Sequence, residues 1–284
     1  MKISIVITAW NVENFIKDAV QSAIKQTYKD IEIIVVNDCS TDSTPKILED
    51  LKKSSSKLKV INNEMNLGAG MSRRIGILNS TGEYVLLLDG DDWLNSDFIE
   101  VLAKKAKETD ADIVSGGIIV RHPSGAYDAT SYGNTECTGF DKVIKFWKER
   151  IVFMNNKLIR RRLHTEIPYC KRRFIEDTPV IIPQLYLANK VVYVDNIGYN
   201  YRMQENSLTH KATPFKYALY RCLCAQDIIA FFEEHDKTYL EKIPIVKQYA
   251  ANINQLKQIK PTPEMIEEFK EDWIEFTCRL ISGM

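Results

Sequence analysis

The sequence contains no Cys-x-x-Cys pair and no metal-ligand spacing among its six cysteines, Cys39, Cys137, Cys170, Cys222, Cys224 and Cys278. That excludes a thiolate metal module and makes free thiols in a reducing cytoplasm the expectation. Net charge is also missing: 38 Lys+Arg against 38 Asp+Glu cancel over 284 residues. With no global field, bulk binding to nucleic acid is excluded, and charged recognition has to be local. Long apolar runs are absent too, the stretches being as short as Tyr84–Leu88, so no transmembrane helix of ~18 residues is expected. Nothing at the amino terminus reads as a signal peptide. Internal repeats and low-complexity tracts are lacking beyond Ser54–Ser56. What is present is an ordinary globular composition, 45% hydrophobic and 27% charged, and the length suits one domain with a smaller appendage.

Lys2–Ala9 is a nearly continuous apolar run, followed by apolar residues at helical spacing from Val12 to Ile24. This predicts a buried strand and then an amphipathic helix. The unit recurs as strand Ile31–Val36, helix from about Pro45, strand Leu58–Ile61, helix near Met71–Leu78, strand Tyr84–Leu88, helix Phe98–Ala106 and strand Ile113–Val120. Such alternation specifies an α/β fold with a mostly parallel central sheet. Residues 122–139, rich in turn formers, predict a long loop or irregular hairpin. A short helix over Phe140–Trp147 and one or two strands over Val191–Tyr201 follow. Helices over Phe215–Phe232, Tyr239–Ile253 and Glu264–Leu280 then form a carboxy-terminal helical appendage. The expected division is 1–211, with two halves meeting near residue 120, and 212–284.

In an open parallel sheet the ligand lies beyond the carboxyl ends of the strands. There the sequence sets Thr8-Ala9-Trp10-Asn11, Asn37-Asp38-Cys39-Ser40-Thr41-Asp42, Asn66-Leu67-Gly68 with Arg73, and Asp89-Gly90-Asp91-Asp92. The last is the most informative. Leu86–Leu88 must be buried, yet three carboxylates crowd the next four residues and repel one another. A hard cation, Mg²⁺ or Mn²⁺, resolves that conflict by taking carboxylate and phosphate oxygens; the alternative is a helix cap with solvated neighbours. No G-x-G-x-x-G follows the first strand and no phosphate-binding glycine loop ending in Lys-Ser/Thr is present.

Taken together, Ser4–Glu13, Ser22–Asp30, Val36–Asp42 and Leu88–Trp93 resemble a family 2 glycosyltransferase of the GT-A fold, over roughly residues 2–210. The resemblance implies a nucleoside-diphosphate-sugar transferase that usually inverts the anomeric carbon, with a nucleotide-binding half over about 1–120 and an acceptor-binding half over about 121–211. It implies that Thr8, Trp10, Asp38 and Arg73 line the nucleotide site, with Trp10 stacking on the base. It also implies that Asp89, Asp91 and Asp92 form the D-x-D-type motif holding metal and diphosphate. Glu176-Asp177 matches the family's acidic dipeptide, with Asp177 as the base for the acceptor hydroxyl and Glu176 as its alternate; a helix cap before Pro179 is the competing reading. In Tyr199–Arg202 and Ser207–His210, a closing segment by resemblance, Arg202 is a candidate for the diphosphate and His210 for the metal shell.

Departures from the family pattern include Ala9, Trp10, Asn37 and Arg74; Trp10 keeps a stacking face, whereas Asn37 removes a charge beside Asp38 and Arg74 adds one, which bears on nucleotide choice. UDP-sugar is the expected donor, and a hexosyl or N-acetylhexosaminyl group the expected cargo. A glycan or lipid-linked acceptor in surface polysaccharide synthesis is expected, leaving room for peripheral contact with the inner membrane face. The basic residues Lys157, Arg160, Arg161, Arg162, Lys171, Arg172 and Arg173 read as a solvated helix face or as a cradle for an anionic acceptor. His122, His164 and His235 read as surface residues. Two competing classes are a sugar nucleotidyltransferase, disfavoured by the absence of glycine and basic residues in Thr8–Glu13, and a non-catalytic nucleotide-sugar or glycan-binding subunit.

Overall fold

The computed structural model describes residues 1–149, 153–169, 171, 174–204 and 212–282. The chain divides into two compact units, Met1–Lys171 with Gln184–Gln204, and Arg172–Pro183 with Glu205–Met284.

The first unit opens with β1 (Ile3–Ala9), α1 (Ile16–Ile24), β2 (Ile31–Asn37), α2 (Thr44–Ser54), β3 (Leu58–Asn62), α3 (Ala69–Leu78) and β4 (Tyr84–Asp89). Apolar runs such as Ile5-Val6-Ile7 and Leu86-Leu87-Leu88 form strands because both faces of the sheet are covered, and these six residues are buried. Each such side chain contributes about 1.5–3 kcal/mol on leaving water. β1 lies in parallel between β2 and β4, and β3 pairs in parallel with β2. The register sets Ala9 beside Asn37 and Thr8 beside Asp89, so the polar residues that follow the strands collect along one edge.

α1 starts four residues later than the apolar spacing suggests. Asn11 takes a positive φ of 52°, and the loop it opens is latched to the loop after β2. Asn11 Oδ1 accepts from the Thr41 N–H at 2.8 Å, Ser40 Oγ from the Asn11 N–H at 3.0 Å, and Thr44 Oγ1 from the Val12 N–H at 3.0 Å. Asp42 reaches both loops, accepting from the Glu13 and Thr44 N–H groups.

Beyond β4 come β5 (Trp93–Leu94), α4 (Phe98–Thr109), β6 (Ile113–Arg121), β7 (Tyr127–Thr130), β8 (Thr135–Thr138), α5 (Asp141–Glu149), β9 (Lys157–Arg160), α6 (Arg161–Glu166), α7 (Thr178–Leu187) and β10 (Lys190–Arg202). The spatial order is β3-β2-β1-β4-β9-β6-β10-β5, with β7 on β6 and β8 on β10. This half of the sheet is mixed. β10 runs parallel to β6, but β9 enters antiparallel between β4 and β6, and β5, β7 and β8 also pair antiparallel. Strands joined by loops and short segments can reverse direction, whereas a crossover helix enforces parallel pairing. Residues 122–139, expected as a long loop or irregular hairpin, carry two short strands, β7 pairing with β6 and β8 with β10.

The second unit contains α8 (Pro214–His235), α9 (Thr238–Lys242), α10 (Ile245–Ile259), α11 (Pro263–Glu268) and α12 (Lys270–Ile281). Thr213 and Thr262 cap α8 and α11 through their hydroxyls, each before a first-turn proline. The helix expected over Tyr239–Ile253 is broken before Ile245 because Pro244 brings no N–H to an interior turn. α8 is the central rod of this unit: Phe215, Leu219 and Leu223 pack with Phe174, Leu256 and Phe276. Among the described residues no helix is long and apolar enough to cross a membrane.

Candidate active site

At the carboxyl edge of the first unit's sheet, the acidic turn Asp89–Asp92 is the centre around which the other polar residues are arranged. Gly90 permits its shape. The Gly90 N–H donates to the Thr8 carbonyl at 2.8 Å, and a Cβ at this position would stand 2.7 Å from that same oxygen. Any larger residue would push the turn off β1.

Asp89 is held from three sides. Its Oδ1 accepts from Arg73 Nη2 at 2.9 Å and from the Thr8 hydroxyl at 3.3 Å, and its Oδ2 accepts from Asn155 Nδ2 at 2.6 Å. Asp92 is fully buried. Its Oδ2 accepts from the Tyr199 hydroxyl at 2.5 Å and its Oδ1 from the Arg202 backbone N–H at 2.8 Å. Asp91, partly exposed, accepts from Gln204 Nε2 at 2.6 Å through Oδ2. Burial, then the neighbouring Asp89 charge, pushes the Asp91 carboxyl up to about 6. Burial and the charges of Asp91 and Asp89 likewise raise Asp92 well above the usual carboxylate range. Tyr199 is raised for related reasons, burial first and then the charges of Asp92 and Asp89.

Arg202 belongs to the same cluster. Its Nε donates to the Asp91 carbonyl at 2.9 Å, and its guanidinium lies 4.7 Å from the Phe15 ring centroid and 4.6 Å from that of Trp93. Stacking between two aromatic faces fixes a cation beside the acidic turn.

Of the residues expected at this edge, Thr8, Arg73, Asp89, Asp91, Asp92 and Arg202 come together. Trp10, 46% exposed, stands directly after β1 and offers an open ring face. Asp38 is buried and committed to the fold: its carboxylate accepts from Asn63 Nδ2 at 2.8 Å and from the Leu67 and Gly68 N–H groups at 2.9 and 2.8 Å. It thereby clamps the loop before α3, where Gly68 adopts a φ of 84°. Asn37, read as a modifier of nucleotide choice, is buried and bonded to Asn62 and to the Ser40 N–H.

Glu176 and Asp177 belong to the second unit's segment. Asp177 immediately precedes α7, and its carbonyl accepts from the Val180 and Ile181 N–H groups at 3.0 and 2.9 Å. Ile175 just before the pair has a φ of 52°, a left-handed conformation that a β-branched residue adopts only under local constraint. His210, with Arg172 and Arg173, lies outside the described residues.

Three residues of the basic cluster, Lys157, Arg160 and Arg162, are engaged within the fold rather than simply solvated. Lys157 is buried, its ammonium donating to the Phe153 carbonyl and to Asn156 Oδ1. Arg160 pairs with Glu83, Asp110 and Asp112, and Arg162 with Asp112 and Glu166. His164 is a core residue rather than a surface one. Its Nδ1 lies 2.7 Å from the Tyr169 hydroxyl and 3.0 Å from Gln184 Nε2, and burial lowers its pKa to about 3.

Sequence reasoning gave Tyr199 no particular task and passed over Gln204 and Asn155. The signal for Asn155 was modest but real: an Asn-Asn pair inside the apolar stretch that leads into β9, where buried amides need partners.

Among the described residues no three His, Cys, Asp or Glu side chains form a ready metal cage. The donor set nonetheless suits a hard divalent cation of the Mg²⁺ or Mn²⁺ kind. Such ions use one or two carboxylates and complete their shell with substrate phosphates and water, and buried carboxyls raised by mutual repulsion are what a cation relieves.

The fold is that of a GT-A glycosyltransferase. The sequence matches the family model "Glycosyl transferase family 2" over residues 4–171, and the chain belongs to that family. It is 32% identical over 228 residues to glycosyltransferase GlyA of Streptococcus pneumoniae serotype 4, which covers 73% of this chain and 31% of that protein. It is 26% identical over 286 residues to glycosyltransferase GlyG of the same organism, covering 95% and 93%. The chain thus spans about a third of the first relative and nearly all of the second. The crystal structure of S. aureus TarS 1-349 in complex with UDP-GlcNAc superposes with a TM-score of 0.71 at 23% identity, over 97% of this chain and 79% of that one.

Proposed function

We propose that this glycosyltransferase moves a sugar from a nucleoside-diphosphate donor, UDP-sugar first, to a hydroxyl of a glycan or lipid-linked acceptor, with inversion and with support from Mg²⁺ or Mn²⁺. The observation that carries the reading is the Asp89–Asp92 turn, three carboxylates at the carboxyl ends of parallel strands, two of them with raised carboxyls. Two relatives named as glycosyltransferases, and a structural relative whose crystal holds UDP-GlcNAc, support the reading.

In this reading Asp91 and Asp89 would hold the ion beside the donor's diphosphate. Once bound, it would supply electrostatic stabilisation of charge on the departing group. Arg202, fixed between Phe15 and Trp93, lends a second positive charge at the same place, and Trp10 offers its ring to the base. Asp177, with Glu176 as alternate, takes the acceptor proton as the hydroxyl oxygen attacks the anomeric carbon and the bond to the diphosphate oxygen breaks. Surface polysaccharide assembly is the setting that the curated relatives suggest, among them a poly(ribitol-phosphate) beta-glucosyltransferase of Bacillus spizizenii.

Titration calorimetry with UDP and then GDP, each with and without Mn²⁺, is the test. Micromolar UDP binding that requires the ion supports the donor reading; no nucleotide binding in either condition overturns it and favours a non-catalytic role. Asp177→Asn should leave that binding within about twofold and lower transfer by on the order of 10²–10⁴. Full transfer in this variant moves the base to Glu176.

A further inference from the structure

The acidic turn is braced by two residues that the family reading leaves without a task. The Tyr199 hydroxyl donates to Asp92 Oδ2 at 2.5 Å and accepts from Asn155 Nδ2 at 3.2 Å and from the Asp89 N–H at 3.4 Å. The same Asn155 amide donates to Asp89 Oδ2 at 2.6 Å. One phenol and one amide therefore tie the first acid of the turn to the last. Both residues are buried, so these four hydrogen bonds are made in a dry environment, where a missing partner is costly. On the other flank the turn is anchored by Gly90 on the Thr8 carbonyl and by Arg73 and Thr8 on Asp89. Between these supports Asp92 is turned fully inward, and Asp91 keeps partial exposure with Gln204 as its neighbour.

From this geometry we infer that Tyr199 and Asn155 are positioning residues that act as one brace, setting the spacing of the Asp89–Asp92 turn and leaving Asp91 as the carboxylate that faces a metal-diphosphate ligand. The brace rests on the donor reading given above. Without the phenol, Asp92 Oδ2 loses its donor and the link to Asn155 is cut, so the turn is free to relax and Asp91 and Asp89 no longer share a fixed separation. A cation bound by two carboxylates is sensitive to that separation, whereas the nucleoside end of the donor is not.

The experiment uses the full chain, with Mn²⁺ alone followed by electron paramagnetic resonance and UDP by calorimetry, each for native protein, Tyr199→Phe, Asn155→Ala and the double variant. Tyr199→Phe should weaken Mn²⁺ binding and Mn²⁺-supported UDP binding by about tenfold, while UDP affinity without the ion stays within about twofold. The double variant should lose little more than the worse single one, because either change breaks the same brace. Unchanged Mn²⁺ binding in Tyr199→Phe overturns the brace, as do losses in the two single variants that simply add, or a metal-free UDP affinity that falls in parallel. If Tyr199→Phe does not fold, the Asn155→Ala result decides by the same criteria. Absence of metal-dependent UDP binding in the native chain overturns the donor reading itself, and the brace with it; loss confined to the variants leaves that reading standing.

Discussion

The two edges of the first unit's sheet are both crowded with charge, and they treat it in opposite ways. At the amino edge each carboxylate has been given partners. Asp112 is buried between Arg160 and Arg162, 2.9 Å from each, and also accepts from the Asn189 N–H at 2.7 Å. Glu32 accepts from the Ser4 hydroxyl and the Thr81 and Gly82 N–H groups, with Lys2 at 2.9 Å. Burial works against its charge, but those donors outweigh it and hold the carboxyl down at about 2. At the carboxyl edge, Asp91 and Asp92 are desolvated beside Asp89 with too little positive charge, and both carboxyls rise. The same residue type is thus structural at one edge and kept in electrostatic debt at the other. That debt is what a ligand can relieve, and its location at the strands' carboxyl ends is where an α/β sheet binds ligands.

The sharpest way to break this comparison is to neutralise the indebted edge. Asp91→Asn should reduce transfer, and with it metal-supported UDP binding, by on the order of 10²–10³. Because the change removes a repulsive charge, the melting temperature of the metal-free protein should stay level or rise. A fall in melting temperature together with retained activity would show Asp91 to be a structural acid like those of the opposite edge. Next in size is the mirror experiment. Asp112→Ala leaves two arginines facing one another without their shared partner and should cost about 3 kcal/mol, seen as a midpoint lowered by several degrees. UDP affinity should change by no more than about twofold, since the partners of Asp112 among the described residues, Arg160, Arg162 and Asn189, lie outside the acidic turn. A large loss of UDP affinity in Asp112→Ala would dissolve the distinction between a structural and a functional edge.

Much of the carboxyl edge was legible because its signals are local. A triple acid after Leu86–Leu88, a polar turn after each strand and a proline-led helix at Pro45 are short patterns with a physical cost or function attached. The parallel half of the sheet was legible for the same reason, one helical period between each pair of apolar runs. What could not be read depends on partners distant in sequence. Asn155 meets Asp89 across 66 residues and Tyr199 meets Asp92 across 107, and no spacing rule connects them. The run of basic residues misled in the same way. Arg160 and Arg162 look like a solvated face until Asp112, some fifty residues earlier, is folded against them. β9 was missed because four residues wedged antiparallel between β4 and β6 carry too short a period to register.

The smallest effect concerns pH, and its sign differs between the edges. Glu32 titrates at about 2 in the folded protein against an ordinary 4.5, so the unfolded chain binds its proton first as pH falls. The stability it contributes is therefore fully present above pH 4.5 and is lost between there and about 2. Since its side chain is 20% exposed, solvent screening reduces the contribution to about 1–2 kcal/mol. Glu32→Gln should accordingly be less stable than the native chain by that amount at pH 7, and the gap should close as pH falls from 4.5. Denaturant midpoints for the two proteins at intervals from pH 7 to 2.5 check this. A gap that stays constant across the range would mean that Glu32 acts through packing and neutral hydrogen bonds. The amino edge would then owe its stability to shape rather than to satisfied charge, and the contrast with Asp91, whose burial raises rather than lowers its carboxyl, would lose its electrostatic basis.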